Sequence, residues 1–183
     1  MVKMEDPMPG RDGVRKMLLD AGAVRFGHFV LTSGQESDVY VDIKQVWTRP
    51  ERLKVLAKEL ASRVGGGELL AGMELGAVPL VVATALQTGL PYVVVRKSAR
   101  AHGTGRRFEG NIAPRARTVV LEDVTTTGGS VVETVGILRE GGALVERVVC
   151  VVDRGQGARE RLKEVGVSLD ALATLEELRG SRA

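Results

Sequence analysis

One stretch of this chain, from Thr118 to Gly142, constrains its fold more than any other. Three apolar residues, Val119 to Leu121, run into the neighbouring acids Glu122 and Asp123, and a run of small polar residues and glycines follows at 125–130. Apolar residues then recur at helical spacing, at Val131, Val135 and Leu138. Spacing of three and four positions is typical of one helix face. The stretch therefore predicts a buried strand, a tight polar loop and a helix.

The loop at 125–130 has the composition of an anion site. Glycines bring backbone N–H groups close to a ligand, hydroxyls add donors, and a helix start offers unpaired N–H groups and a positive dipole end. Glu122 and Asp123 would repel a phosphate, and they suit ribose hydroxyls or an oxygen-seeking divalent cation instead. The loop is neither a P-loop nor the GxGxxG of dinucleotide folds. A plainer alternative is an αβ unit whose acids only end a strand.

Composition sets the limits within which this loop has to be interpreted. A length of 183 residues fits one domain with a substantial core, and 44% hydrophobic with 27% charged residues is typical of a globular protein. Aromatic residues make up 3% of the chain and the net charge is +3, which argues against a base-stacking nucleic-acid module. The single cysteine, Cys150, lies in an apolar run and predicts a core residue in a reducing compartment. The first 13 residues contain no apolar signal segment, so we expect a cytoplasmic protein.

The remaining pattern alternates strands with helices. We expect a short helix over 14–21, a hairpin with strands around Phe26 and Val39 to Ile43, and a helix opened by Thr48 as a capping box with Pro50 in its first turn. Later strands are expected at 68–73, 91–95, 145–152 and 167–173. Such alternation predicts an α/β fold, a doubly wound and mainly parallel sheet flanked by helices. Sites in these sheets lie at the carboxyl ends of the strands.

A second unusual segment, Arg96 to Gly110, is called the cationic loop below. It has six basic residues before its first acid, Glu109, and no helical or strand period. We expect a mobile loop that contacts an anion. Two alternatives stay open at this point, a solvated basic loop without function and a weaker one, nucleic-acid binding.

Several segments in unbroken order resemble the orotate phosphoribosyltransferases, a family of type I phosphoribosyltransferases. They are FVLTSGQESDVYVD, GMELGAVPLVVATA, VRKSARAHG, LEDVTTTGGS and VVDRGQGARERLKEVGV, within residues 11–178. The resemblance implies one domain over 1–183, with an N-terminal helix and hairpin at about 11–47 forming a hood over an α/β core at about 48–178. It also implies transfer of phosphoribose from phosphoribosyl diphosphate to orotate, in pyrimidine biosynthesis.

The resemblance assigns roles to individual positions. Catalytic roles fall to Arg100, His102 and Asp123, and the orotate contacts to Thr126 and Arg154. The residues that it implies for binding phosphoribosyl diphosphate are Arg96, Lys97, Arg100, His102, Glu122, Asp123, Val124, Thr125, Thr126, Thr127, Gly128, Gly129 and Ser130. The implied cofactor is Mg²⁺, carried by the diphosphate with Glu122 and Asp123 nearby and no direct protein ligand. The implied assembly is a homodimer whose cationic loops are shared between subunits.

Three departures and two rival functions accompany the resemblance. Arg100 stands where the family usually has lysine, Thr125 where it usually has an aliphatic residue, and Thr32 where some members have lysine. One rival keeps the fold and uses another base, although Arg154 favours an acidic one. The other is a regulator that binds a nucleotide or phosphoribosyl diphosphate without turning it over.

Overall fold

A six-stranded sheet forms the centre of the computed structural model, which describes residues 10–30, 36–98 and 106–181. The strands are β1 (Val24–Val30), β2 (Glu36–Val41), β3 (Leu69–Met73), β4 (Tyr92–Val95), β5 (Phe108–Glu109), β6 (Arg117–Thr125), β7 (Leu144–Asp153) and β8 (Ser168–Thr174). The sheet order is β5-β4-β3-β6-β7-β8. All neighbouring strands are parallel except β5, which is antiparallel to β4 at one edge.

Helices cover both faces of this sheet, which confirms the doubly wound fold predicted from the sequence. The helices are α1 (Arg11–Asp20), α2 (Lys44–Trp47), α3 (Pro50–Ala61), α4 (Val78–Thr88), α5 (Gly129–Glu140), α6 (Ala158–Glu164) and α7 (Leu175–Gly180). Apolar residues of α1, α3, α4 and α7 form one core with one face of the sheet, including Leu121. Residues of α5 and α6 form a second core with the other face, including Val120. Neighbouring residues of β6 thus enter different cores, as a central strand buried on both faces requires.

The predicted N-terminal hairpin is present as a separate two-stranded sheet of β1 and β2. Val24 and Val39 bury one side of it in the core that contains α1. Ile43, expected in the second strand, instead precedes α2 and is buried. Leu31, expected in the first strand, and residues 33–35 of the turn expected at 33–38 lie outside the described residues. The other residues of that expected turn, 36–38, belong to β2, which begins earlier than predicted.

The capping box predicted at Thr48 is wrong. Helix α3 is preceded by Arg49 in an extended conformation without a side-chain cap, although Pro50 does open the helix. The Thr48 hydroxyl donates instead to the Lys44 carbonyl oxygen of α2, at 2.6 Å. The short helix α2 was not predicted from the sequence. Its hydrogen bond with the Thr48 hydroxyl replaces the cap that was expected for α3.

Two strands near the site also differ from expectation: β6 is longer than predicted, and β5 was not predicted. Strand β6 continues to Thr125, so Glu122 and Asp123 lie within the strand and do not follow it. Strand β5 lies inside the cationic loop, where no strand was expected, because Phe108 and Glu109 pair with Val95 and Val94 of β4. The loop thus returns to the sheet before it ends.

Candidate active site

The sequence-predicted site residues of the described chain meet at one edge of the sheet. Strands β3, β4, β6 and β7 are parallel, and their carboxyl ends reach Glu74, Arg96, the acid pair and Arg154. This confirms the expected convergence of the acid pair, the cationic loop and Arg154. Arg100, His102 and Thr32 lie outside the described residues.

The two acids of β6 have different surroundings. Glu122 is 7% exposed, whereas Asp123 is only partly buried. Burial, together with the neighbouring Asp123, raises the pKa of the Glu122 carboxyl well above its usual value. Glu122 Oε1 accepts the Asp123 N–H at 3.0 Å, and Asp123 Oδ1 accepts the Val124 N–H at 2.8 Å. The pair therefore presents one carboxylate to the edge of the sheet and keeps the other inside.

The phosphate loop, defined here as Thr125 to Ser130, turns directly into α5. Gly128 precedes the helix in a left-handed conformation, with φ 79°, and a Cβ there would lie 3.0 Å from the Cα of Ala158 in α6. Only glycine satisfies both the backbone angle and this close approach. The next residues, Gly129 and Ser130, are exposed, so the first N–H groups of a 12-residue helix face solvent. Such a helix start favours an anion.

The Thr125 hydroxyl is engaged inside the protein. It donates to Asp153 Oδ1 at 3.2 Å and lies 3.6 Å from Cys150 Sγ, and Thr125 itself is 1% exposed. These contacts explain how the protein accommodates a hydroxyl at position 125, where the family that the sequence resembles usually has an aliphatic residue. The side chains that the loop can offer to a ligand are those of Thr126, Thr127 and Ser130.

Arg154 links this edge to the hairpin. Its N–H donates to the Thr125 carbonyl oxygen at 3.0 Å, and its Nη2 lies 3.5 Å from Ser37 Oγ. Its Nε is buried without a hydrogen-bond partner in the described part of the chain, so the guanidinium retains donors for a ligand. The hydrogen bond from Arg179 of α7 is the main cause that lowers the pKa of Asp38. Desolvation acts in the opposite direction, and the charges of Arg179 and Arg154 lower this pKa by smaller amounts.

A cleft of about 480 Å³, with Arg154 in its lining, lies between the end of β7 and the starts of α6 and α7. Its lining includes Arg159 and Arg179, but no residue of the phosphate loop. Because the acids and the helix start do not reach it, the geometry favours the open edge of the sheet over this cleft as the reaction site.

Four residues of this edge were missed by the sequence analysis. Glu74 accepts the N–H of Lys97 at 3.0 Å, and Gly76 leaves room for the Asp123 carboxylate. Asp153, 2% exposed, accepts hydrogen bonds from Thr125, from the Gly155 N–H and from Arg159 Nε. Arg107 donates to the Lys97 carbonyl oxygen at 2.6 Å. Two of the four had a sequence signal: Asp153 is a charged residue that ends an apolar run, and Arg107 is one of the six basic residues of the cationic loop.

Among the described residues, no three His, Cys, Asp or Glu side chains gather into a cluster that could hold a metal ion. Within the same residues, no helix is long and apolar enough to cross a membrane.

Comparison with known proteins places the chain in a family. A model described as phosphoribosyl transferase domain matches residues 51–171. The orotate phosphoribosyltransferase of Methanosarcina acetivorans is 50% identical over 159 residues, which cover 86% of this chain and 85% of that protein. Among solved structures, the orotate phosphoribosyltransferase from Aeropyrum pernix has a TM-score of 0.81 and 34% identity, covering 92% of this chain and 97% of the other.

A third similar protein was solved with a ligand. The orotate phosphoribosyltransferase of Mycobacterium tuberculosis H37Rv, crystallised in complex with 5-phospho-α-D-ribosyl 1-diphosphate, has a TM-score of 0.77 and 27% identity. The match covers 93% of this chain and 99% of that one. Sequence identity, coverage and fold agree, and the chain belongs to the orotate phosphoribosyltransferase family.

Proposed function

We propose that this chain transfers the 5-phosphoribosyl group from phosphoribosyl diphosphate to orotate, giving orotidine 5′-monophosphate and diphosphate, in pyrimidine biosynthesis. The observation that carries the proposal is the edge of the sheet where a partly buried carboxylate, Asp123, lies a few residues before a glycine- and hydroxyl-rich helix start at the surface. A phosphorylated sugar needs a hydrogen-bond acceptor for its ribose hydroxyls and, beside it, hydrogen-bond donors for its 5′-phosphate. This edge of the sheet offers both.

Binding of the sugar phosphate is proposed for the phosphate loop and the acid pair. The backbone N–H groups from Thr126 to Ser130 and the free hydroxyls would hold the 5′-phosphate, and Val124 and Thr125 would contribute backbone only, since their side chains pack inward. Asp123 would accept hydrogen bonds from ribose hydroxyls. Glu122 would orient Asp123 through the hydrogen bond to its N–H.

Departure of diphosphate is proposed to depend on the cationic loop. As the bond to the anomeric carbon breaks, the sugar gains oxocarbenium character and negative charge builds on the diphosphate. Cations placed on that group stabilise the change selectively, and we assign this role to Arg96, Lys97, Arg100 and His102. The roles of Arg100 and His102 stay predictions from the resemblance.

Orotate is proposed to bind between Arg154 and Thr126. A planar guanidinium can donate two parallel hydrogen bonds to the orotate carboxylate, and in the described part of the chain the Arg154 guanidinium makes only a long contact, 3.5 Å from Nη2 to Ser37 Oγ. Ser37 of the hairpin already lies near Arg154, which supports a hood over the base.

Mg²⁺ is the proposed cofactor. It would neutralise the diphosphate and be held mainly by diphosphate oxygens and water, since Mg²⁺ sites in proteins often need only one or two carboxylates beside substrate phosphates. The donor set fits: Asp123 is partly exposed, and only its Oδ1 accepts the Val124 N–H. Chelation of divalent cations should abolish turnover, and Mg²⁺ should restore it.

A homodimer is proposed in which each cationic loop completes the neighbouring site. Support comes from two exposed apolar side chains, Leu75 in the turn before α4 and Leu86 within α4, which are 64% and 84% exposed. A second copy would remove this surface from water. Mixing inactive Arg100→Ala and Asp123→Asn chains should then restore about a quarter of full activity, because half of the dimers would contain one intact site. No recovery after subunit exchange would exclude loop sharing.

The organisation and the location of the chain are also proposals. One domain over 1–183, with a hood at about 11–47 and a core at about 48–178, is supported by Val24 and Val39, which share a core with the central sheet. A cytoplasmic location is supported by Cys150, a free and buried cysteine, as is usual in a reducing compartment.

The deciding experiment is a spectrophotometric assay of orotate consumption with phosphoribosyl diphosphate. Turnover of orotate with Mg²⁺ is expected, with none on uracil or hypoxanthine. Turnover of hypoxanthine without turnover of orotate would favour a different base, and tight binding of phosphoribosyl diphosphate without any turnover would favour a regulator.

A further inference from the structure

The peptide groups on both sides of Lys97 are held by two different elements. The Lys97 N–H donates to Glu74 Oε1, in the turn after β3, at 3.0 Å. The Lys97 carbonyl oxygen accepts a hydrogen bond from Arg107 Nη2 at 2.6 Å, and the same nitrogen lies 3.3 Å from the Arg96 carbonyl oxygen. The position of a long side chain depends on the position of its backbone. These contacts therefore fix the origin of the Lys97 side chain.

Arg107 has a second partner across the site. Its Nη2 forms an ion pair with Glu133 Oε1 at 2.8 Å, and Glu133 lies in the first turns of α5, directly after the phosphate loop. The Arg107 side chain is 29% exposed and that of Glu133 is 50% exposed. One guanidinium thus connects the end of β4, which carries Lys97, to the helix whose start is proposed to hold the 5′-phosphate.

We infer that Arg107 is a positioning residue, which with Glu133 holds Lys97 at a fixed distance from the phosphate loop. The inference rests on the proposed function, since it is there that Lys97 contacts the diphosphate. The three oxygens that Arg107 contacts, two carbonyl and one carboxylate, all surround its Nη2 and all belong to the protein, so we assign Arg107 an action through Lys97. The distance between the two ends of phosphoribosyl diphosphate is fixed by its chemistry, so a rigid link between the two subsites favours its binding.

The competing explanation is that Arg107 is one more cation attracting an anionic substrate, and the two explanations differ in the sign of one effect. Glu133→Gln removes a negative charge and leaves every loop cation in place. If charge alone matters, a polyanion binds this variant more tightly. If positioning matters, the variant loses the ion pair and binds the polyanion more weakly. Glu140→Gln is the matched control, because Glu140 is exposed on the same helix and has no partner among the described residues.

The test is calorimetric titration with phosphoribosyl diphosphate and Mg²⁺, combined with orotate kinetics. We expect Arg107→Ala to raise the Kd for phosphoribosyl diphosphate roughly tenfold, as for one charge-assisted hydrogen bond, and Glu133→Gln to raise it about threefold. The KM for orotate should change less than twofold. Adding Glu133→Gln to Arg107→Ala should cause no further loss, since both remove one link. Arg106→Ala, the same charge change at an exposed neighbour, should weaken binding less than Arg107→Ala.

Amide hydrogen exchange at Lys97 provides a readout that needs no substrate. Arg107→Ala should speed this exchange by freeing the peptide, whereas Glu140→Gln should not. Unchanged exchange in Arg107→Ala would overturn the inference, and so would Glu133→Gln binding phosphoribosyl diphosphate as tightly as Glu140→Gln does. If the proposed function is wrong, the unaltered chain will not turn over orotate. Amide exchange at Lys97 in Arg107→Ala and Glu140→Gln still tests the positioning role in that case, because it needs no substrate.

Discussion

At Gly76, the addition of a single methyl group should lower the activity of this protein strongly and its stability only slightly. It lies in the turn after β3, facing Asp123 of β6. A Cβ at Gly76 would lie 2.2 Å from Asp123 Oδ2 and 2.6 Å from its Cγ. Since unbonded atoms settle at roughly 3.5 Å, the carboxylate must retreat by about 1 Å in Gly76→Ala.

The expected cost is large for activity and small for stability. A displacement of about 1 Å at a group that orients substrate costs up to roughly 100-fold in rate. Overpacking costs about 1–3 kcal/mol, and a carboxylate that is only partly buried and can rotate belongs at the lower end of this range. The reduced freedom of the unfolded chain offsets about 0.5 kcal/mol of this. We therefore expect kcat/KM to fall about 100-fold while Tm falls by no more than about 4 °C.

The assay is orotate turnover and thermal unfolding of the same preparations. Gly136→Ala is the matched control, because a Cβ there meets nothing within 4 Å and lies inside α5. It should keep full activity and raise stability by about 1 kcal/mol. In an Asp123→Ala background the obstacle is gone, so Gly76→Ala should then cost neither stability nor activity. A kcat/KM for Gly76→Ala within twofold of the parent would refute the reasoning.

Three further outcomes follow from the site. Glu122→Gln should retain kcat within about threefold, because the raised pKa already favours a neutral side chain, whereas Asp123→Asn should lower it about 100-fold; steady-state kinetics of both variants decide. Arg154→Ala should raise the KM for orotate at least tenfold and leave that for phosphoribosyl diphosphate nearly unchanged. The hydrogen bond from Arg179 lowers the pKa of Asp38, so its stabilisation is present above the usual 3.8 and is lost as pH falls through the lower folded value. The difference in Tm between Arg179→Ala and the parent should accordingly be full near neutral pH and vanish in strong acid.

The parts of the fold that the sequence predicted correctly are those set by local patterns. The phosphate loop is one case, since the glycines, the hydroxyls and the helical period all lie within one short stretch. The hairpin and the parallel sheet are others, because residue alternation and the order of strands and helices carry them. No knowledge of distant contacts was needed for these features.

The parts that were missed depend on residues far apart in the chain. Thr125 bonds Asp153, 28 positions later, and the Lys97 N–H bonds Glu74, 23 positions earlier. The same limit explains the misplaced capping box. Thr48 and Thr174 both precede a glutamate by three positions, yet only Thr174 caps a helix, accepting the Glu177 N–H while Glu177 accepts its own. The Thr48 hydroxyl donates to the Lys44 carbonyl oxygen of α2 instead, and the sequence pattern around Thr48 does not predict that hydrogen bond.

The acid pair shows what three-dimensional structure adds to a motif. In the sequence, Glu122 and Asp123 are equivalent neighbours, and two adjacent carboxylates cannot both be ionised at low cost. In the sheet, successive residues of β6 point to opposite faces, so one acid enters the interior while the other faces the edge. Burial raises the pKa of the inner acid, Glu122, whose carboxyl accepts the Asp123 N–H. Two residues that look equivalent in the sequence are therefore placed differently, with Glu122 buried as a hydrogen-bonding group and Asp123 at the edge where we propose that the sugar phosphate binds.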